Sequence, residues 1–132
     1  MATPFSTPQD AEDAYYDAID EKNLSAMMAV WDESEETLCL LPMMPIQRGR
    51  AAIEEVWSSL LNSDISLEMQ IKHLSWIESE SIAIHLIEEW VNAGPEAGMQ
   101  PVYATNIFRK GDQGWHLIMH QNSPTPPPEL KA

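Results

Sequence analysis

The chain has 132 residues and a formal net charge of −14. That length allows one hydrophobic core, and so acidic a surface argues against nucleic acid and anionic membranes as partners, because both require basic patches. The single cysteine, Cys39, excludes an internal disulfide, and the N-terminus lacks the pattern of a signal peptide. We therefore expect a cytoplasmic protein without a membrane span.

The N-terminal half predicts three helices. Thr7 is the expected N-cap of the first, with Pro8 in its first turn, and Asn23 is the expected N-cap of a shorter second helix. A short strand is predicted over Thr37 to Leu41. The third helix follows Gly49-Arg50. Apolar residues recur at helical spacing along the three helices: Ala11, Ala14, Tyr15, Ala18 and Ile19; Leu24, Met27, Met28 and Trp31; Ile53, Val56, Trp57 and Leu60.

The C-terminal half predicts four consecutive strands. β-Branched and aromatic residues mark them: Ser66 to Trp76, Ser81 to Trp90, Val102 to Arg109, and Trp115 to Ser123. Gly94 to Pro101 is predicted to be a loop, and Lys110 to Gly114 a turn. The fold class is therefore α+β, with the helices on one face of a curved, mostly antiparallel sheet. We expect a single domain over 1–132, with its core at about 7–124 and a proline-rich tail at 125–132.

Three segments of this pattern resemble a known family. They are Ile46 to Ile53 before the third helix, Ala104 to Phe108 in the third long strand, and Trp115 to Pro124 in the last. In this order they are similar to SnoaL-like (polyketide cyclase-like) members of the nuclear transport factor 2-like superfamily. The resemblance implies a cone-shaped α+β barrel with a deep pocket between sheet and helices, and a homodimer formed through the sheet. It implies no single activity, since function resides in the site and not in the fold.

The ketosteroid isomerase branch of that superfamily provides a comparison for catalysis. Its chemistry needs a carboxylate base and proton donors at an oxyanion. Leu41 occupies the position that resembles the base, so that mechanism is not supported here. Tyr15 matches the oxyanion tyrosine, with Tyr16 as the alternative register. The second donor position falls near Thr105 or Asn106.

His120 is the candidate for proton transfer on the last strand. Strict alternation places His120 and Asn122 on one face, with Trp115, Leu117, Met119 and Gln121 on the other. By similarity to the family, the face with His120 lines the pocket together with Tyr103 and Thr105. The opposite orientation stays open, because a shift of one residue reverses every side chain. A structural histidine bonded to the backbone is the favoured alternative.

Metal and cofactor sites are not predicted. His73 and His85 lie on separate strands and, with Glu88 or Glu89, supply ligand types suited to a metal, but their spacing is equally typical of core or dimer-face roles. Glycine-rich phosphate loops, a Gly-x-Ser-x-Gly elbow and a His-Glu-x-x-His motif are all missing from the sequence.

The favoured hypothesis is a cytoplasmic homodimer that binds a small, mostly apolar molecule. If it is catalytic, cofactor-independent proton transfer is expected, as in an isomerase, cyclase or dehydratase, with His120 as acid or base and Tyr15 as hydrogen-bond donor. The rival hypothesis is a non-catalytic oligomerisation or partner-binding module with a filled cone. The predicted ligand-binding residues are Tyr16, Trp31, Leu41, Trp57, Tyr103, Thr105, Asn106 and Asn122.

Overall fold

The computed structural model describes residues 5–42, 44–64, 68–92 and 98–123. Its elements are α1 (Pro8–Asp20), α2 (Leu24–Val30), β1 (Leu38–Leu40), β2 (Gln47–Arg48), α3 (Arg50–Leu61), β3 (Met69–Glu78), β4 (Ile82–Asn92), β5 (Met99–Gly111) and β6 (Gly114–Ser123). The tail predicted at 125–132 lies outside the described residues.

The two predicted N-caps are confirmed. The Thr7 hydroxyl accepts a hydrogen bond from the Asp10 backbone N–H at 3.0 Å, and the Asn23 side chain accepts from Ala26 N–H at 3.0 Å. Each bond satisfies an amide that the first turn of a helix leaves without an intrahelical partner. Local sequence therefore specifies where α1 and α2 begin.

Gly49 and Arg50, before α3, have tertiary roles. Gly49 adopts φ +83°, and a Cβ there would lie 2.8 Å from a carboxylate oxygen of Glu35, so a glycine fits both the backbone and the space. The guanidinium of Arg50 donates to the carbonyl oxygens of Met28 and Trp31, each at 2.8 Å. Arg50 therefore caps the C-terminal end of α2 and ties α3 to it.

The sheet has the order β2-β1-β6-β5-β4-β3. β1 runs parallel to β6, and the other neighbouring pairs are antiparallel. The α+β class and the mostly antiparallel sheet packed against three helices are confirmed. Within the described ranges, the edge strands β2 and β3 do not pair with each other, so the curved sheet is open and does not close into a barrel.

Strand β5 is longer than predicted. Met99 to Pro101, expected in a loop, pair with Asn92 to Trp90 of β4. At its other end β5 reaches Gly111, which pairs with Gly114, so the turn between β5 and β6 is shorter than the predicted Lys110 to Gly114. Long-range pairing has extended the strand into residues that local propensity assigns to loop and turn.

A β-bulge in β6 changes which residues face the helices. Ile107 pairs with Met119 but Phe108 pairs with Leu117, so Ile118 is the extra residue. Trp115 and Leu117 are consequently buried on the same face as His120. The prediction that they lie on the opposite face is wrong, because strict alternation cannot cross a bulge.

The hydrophobic core lies between the inner face of the sheet and the helices. Its largest fully buried apolar side chains are Tyr15, Met27, Trp31, Ile53, Ile87, Phe108 and Leu117. No helix in the described part of the chain has the length and apolar character needed to cross a membrane.

Candidate functional site

A cavity of about 200 Å³ opens between the helices and the inner face of the sheet. It includes five of the predicted site residues: Tyr15, Leu41, Trp57, His120 and Asn122. The other lining residues are Ile19, Pro42, Met44, Leu60, Glu68, Met69, Glu89 and Val91. Most of this wall is apolar, and the polar atoms come mainly from β4 and β6. Such a lining favours an apolar ligand held by few polar contacts.

Tyr15 contributes an unpaired polar group to the cavity wall. Its ring packs edge-on against Trp57, with centroids 5.7 Å apart, and lies tilted against the ring of His120 at 5.0 Å. Its hydroxyl is buried and has no hydrogen-bond partner among the described residues. Burial raises the pKa of Tyr15 well above its usual value, helped by nearby Cys39 and Glu89. The Tyr15 hydroxyl is therefore neutral and has an unused hydrogen-bond donor.

Glu89 is the carboxylate of the site. It is 4% exposed, and its Oε2 accepts from the Tyr16 hydroxyl at 2.7 Å while its Oε1 accepts from Asn122 Nδ2 at 2.8 Å. We expected Glu89 only as an alternative metal ligand. Its inward orientation could have been predicted from alternation, because Glu89 follows Ala83, His85 and Ile87 at alternate positions on the buried face of β4.

His120 is held at both ring nitrogens by side-chain amides, and not by the backbone. Its Nδ1 lies 2.6 Å from Asn106 Oδ1, and its Nε2 lies 2.8 Å from Asn122 Oδ1. Both amide oxygens face the ring because Asn106 Nδ2 donates to Glu12 and Asn122 Nδ2 donates to Glu89. A ring nitrogen that carries a hydrogen donates it to the amide oxygen it faces, and Glu89 Oε2 lies 3.8 Å from Nε2.

Tyr16 and Asn106 complete a closed ring of hydrogen bonds. The Tyr16 hydroxyl donates to Glu89 and accepts from Asn106 Nδ2 at 3.2 Å. Burial and the neighbouring Glu89 raise the pKa of Tyr16 well above its usual value. The ring therefore runs from Asn106 through His120, Asn122, Glu89 and Tyr16 back to Asn106. Tyr16 and Asn106 support the cavity from behind and are not among its lining residues.

Three predicted ligand-binding residues lie elsewhere. Trp31 is 1% exposed, forms a bridge to Leu117 and is not a lining residue. Tyr103 and Thr105 alternate with the buried Ala104 and lie half-buried on the outer face of β5. The prediction that they share the face of His120 is wrong. Ala104 and Asn106 are the residues of β5 that pair directly with Asn122 and His120, so Tyr103 and Thr105, at the alternate positions, face the other side of the sheet.

His73 and His85 come together, as the sequence allowed, but around a different carboxylate. The oxygens of Glu12 lie 2.5 Å from His73 Nε2 and 2.9 Å from His85 Nδ1. The alternative with Glu88 or Glu89 is wrong, since Glu89 bonds to Tyr16 and Asn122 instead. Glu12 is one residue along the helix from Ala11 and was missed. Its signal was a carboxylate one turn before Tyr15 and Tyr16 on the apolar side of α1.

Cys39 is a buried residue of β1. Burial raises the pKa of its thiol to about 12. A thiol in this state is a poor nucleophile at neutral pH, so Cys39 serves as a small buried apolar residue.

Comparison with known proteins identifies the family. The sequence model of the SnoaL-like domain family matches residues 9–127 of this chain. The chain belongs to this family. No protein of curated function matches it in sequence.

A structure from Thiobacillus denitrificans ATCC 25259, described as a calcium/calmodulin-dependent protein kinase type II association domain, is 31% identical to this SnoaL-like chain. The match covers 95% of this chain and 100% of that one, with a TM-score of 0.87. A Streptomyces avermitilis structure described as a dehydratase of the nuclear transport factor 2-like family is 21% identical, covering 89% and 92% of the two chains, with a TM-score of 0.77.

A ketosteroid isomerase-like protein from Erwinia carotovora atroseptica is 19% identical, over 88% of this chain and 94% of that one, with a TM-score of 0.65. At this level the last two likenesses show the fold alone.

Proposed function

We propose that this SnoaL-like chain binds a small, mostly apolar molecule with one hydrogen-bond acceptor in the cavity beside Tyr15. The observation that carries this proposal is a cavity of about 200 Å³ lined in part by Tyr15, whose buried hydroxyl has no hydrogen-bond partner among the described residues. A buried hydroxyl without a partner costs about 1–3 kcal/mol, and a ligand oxygen removes that cost. The apolar side chains of Leu41, Trp57 and Val91 provide the packing surface.

We further propose that any catalysis is cofactor-independent proton transfer with Glu89 as the base. The role moves from His120 to Glu89 because both nitrogens of His120 are engaged, whereas each oxygen of Glu89 keeps acceptor capacity and the residue lines the cavity. In this scheme Glu89 takes a proton from the carbon beside a carbonyl, and Tyr15 donates a hydrogen bond to the enolate oxygen. His120 is then a positioning residue that holds Asn122, which in turn donates a hydrogen bond to Glu89.

A matched pair of probes tests binding. 1-Tetralone and tetralin differ chiefly in the carbonyl oxygen, so calorimetry with both isolates the contribution of the Tyr15 hydroxyl. We expect the ketone to bind the wild-type protein more tightly, and Tyr15→Phe to remove about five- to tenfold of its affinity without changing that of the hydrocarbon. Equal affinity of the two probes for the wild type, or binding of neither, would contradict the proposal.

Exchange of ketone hydrogens for deuterium tests the chemistry separately. In D₂O the protein should accelerate exchange at the carbon beside the carbonyl of 1-tetralone, followed by NMR. Glu89→Gln should abolish that acceleration while retaining ketone binding, because the amide keeps the shape and cannot accept the proton. Acceleration that survives in Glu89→Gln would exclude Glu89 as the base.

The rival function, an assembly module, is supported by the Thiobacillus denitrificans likeness and by the outer face of the sheet. Two pairs of apolar residues face each other across neighbouring strands there, Ile77 with Ile84 and Ile107 with Met119. Leu86 extends this outer patch and is 38% exposed. We propose that a second copy of this chain covers the outer patch, because burial of such a surface drives association.

Native mass spectrometry distinguishes these possibilities. A dimer that carries a small molecule released on denaturation supports both the pocket and the interface. Ile84→Lys should then give monomers, whereas Ser79→Lys, at an exposed position near the end of β3, should leave the dimer intact. Higher rings without an adduct would favour the assembly module alone, and a wild-type monomer would exclude the interface.

A further inference from the structure

A second buried carboxylate lies away from the lining of the cavity, in a cluster that the proposed function does not use. Glu12 of α1 is 1% exposed and faces His73 of β3 and His85 of β4. One imidazole nitrogen approaches each carboxylate oxygen, His73 Nε2 at Oε1 and His85 Nδ1 at Oε2. The three side chains come from three different elements, so the tertiary fold assembles the cluster.

The potential ligand atoms of this cluster lie close together. They all lie within 4.8 Å of one another. An ionised carboxylate and two imidazoles form a donor set that divalent transition metals prefer.

Asn106 supports the carboxylate from the side of the cavity. Its Nδ2 donates to Glu12 Oε2 at 3.0 Å. Protein metal sites usually hold their ligating carboxylates with such outer hydrogen bonds, which fix the orientation of the oxygens. The backbone of Asn106 pairs directly with His120, so the position of this donor is set by the sheet.

An open cleft leads from solvent to the cluster. It measures about 340 Å³ and is lined by Gln9, Glu12, Asp13, Tyr16, Asp17, Ile71 and His73. The side chain of His73 is 35% exposed, whereas that of His85 is 3% exposed. The acidic side chains of Asp13 and Asp17 at this cleft favour the approach of a cation.

We propose that Glu12, His73 and His85 bind one divalent transition-metal ion, with Zn²⁺ as the best-suited ion. Zinc takes imidazole and carboxylate ligands at about 2.0–2.2 Å, which separates neighbouring ligand atoms by about 3 Å. To reach that spacing, the nitrogen–oxygen distances of 2.5 and 2.9 Å lengthen slightly, and the wider separations of up to 4.8 Å among the ligand atoms shorten. Three protein ligands leave a coordination position for water or a ligand on the side of the cleft.

Zinc binding to tag-free protein tests this site. Equilibrium dialysis followed by elemental analysis should find one Zn²⁺ per chain for the wild type. His73→Gln should weaken the affinity by about tenfold or more, because one of three ligands is lost. His116→Gln is the matched control, since His116 lies on β6 and contacts the ring of Phe5, and it should bind zinc like the wild type.

Co²⁺ provides a readout that does not depend on a variant. The wild-type protein loaded with Co²⁺ should show visible absorption bands of a four- or five-coordinate ion, and X-ray absorption of the Zn²⁺ form should show two imidazoles in the first shell. Absence of stoichiometric Zn²⁺, equal uptake by His73→Gln, or a first shell without imidazole would overturn the proposal. The cluster would then be a hydrogen-bonded core element only.

Discussion

Glu12 and Glu89 are two buried carboxylates on the same side of one sheet, and their partners differ. Glu12 receives hydrogen bonds from two imidazoles and one amide and opens toward an acidic surface cleft. Glu89 receives one hydroxyl and one amide and opens toward an apolar cavity. Chemistry at a buried carboxylate is set by its neighbours. Glu12 suits a cation, and Glu89 suits proton exchange with an apolar molecule.

Asn106 joins these two regions. Its amide nitrogen donates to Glu12 and to the Tyr16 hydroxyl, and its oxygen accepts from His120. Because one side chain orients both carboxylate clusters, the two regions cannot be perturbed independently at this residue. They can be separated at Glu12 and at Tyr15, which lines only the apolar cavity.

Asn106→Leu should have the largest effect on stability, because it removes the side chain that connects the Glu12 cluster with the Glu89 cluster. The substitution keeps the approximate volume but leaves Glu12 and His120 each without one buried partner. We expect a loss of about 3 kcal/mol in the free energy of unfolding, measured by urea denaturation at constant m-value. Thr105→Val, on the outer face of the same strand, is the control and should change stability by less than about 0.5 kcal/mol. A similar loss in both variants would argue against a special role for Asn106.

Glu12→Gln should reduce stability by about 2 kcal/mol at pH 7. The folded-state pKa of Glu12 is lowered below its ordinary value of 4.5, so its ionisation stabilises the fold above pH 4.5. That contribution is lost as the pH falls through the lowered pKa. The difference between wild type and Glu12→Gln should therefore shrink below pH 4.5. Urea denaturation over an acid series checks this, and a difference that grows on acidification would contradict the assignment.

Tyr15→Phe and Tyr16→Phe form a matched pair with opposite expectations. Tyr16→Phe removes a hydrogen bond to Glu89 and should lower the free energy of unfolding by about 1–2 kcal/mol. Tyr15→Phe removes a buried hydroxyl without a partner and should leave the ligand-free protein equally stable, or slightly more stable. Thermal melting of both variants provides the comparison. Equal destabilisation would show that the Tyr15 hydroxyl has a partner in the free protein.

The smallest expected effect is at alkaline pH. The folded-state pKa of Tyr16 is raised above its ordinary value of 10.0. The neutral hydroxyl therefore contributes fully to the free energy of unfolding below pH 10, and this contribution is lost as the pH rises through the raised pKa. The loss of stability caused by Tyr16→Phe should therefore become smaller only above pH 10, whereas the loss caused by Glu12→Gln becomes smaller only below pH 4.5. Stability curves of both variants across the two ranges would show whether each carboxylate cluster responds as assigned.

Local signals in the sequence predicted the elements well. Thr7 and Asn23 cap α1 and α2 because a side-chain oxygen satisfies amides two or three residues away. Tyr15 and Trp57 are buried, as the helical spacing of apolar residues predicts. The sequence also placed Asn106, His120 and Asn122 among the candidate site residues, and these three lie in one hydrogen-bond network.

Sequence periodicity by itself determined helix caps, strand segments and the α+β class, since these depend on residues close in the chain. Tertiary structure decided the rest. The bulge at Ile118 arises from pairing with β5 and reverses the predicted face of Trp115 and Leu117. Glu12 meets His73 across 61 residues and His85 across 73. No local spacing encodes such contacts, because they form only when α1 packs against the curved sheet.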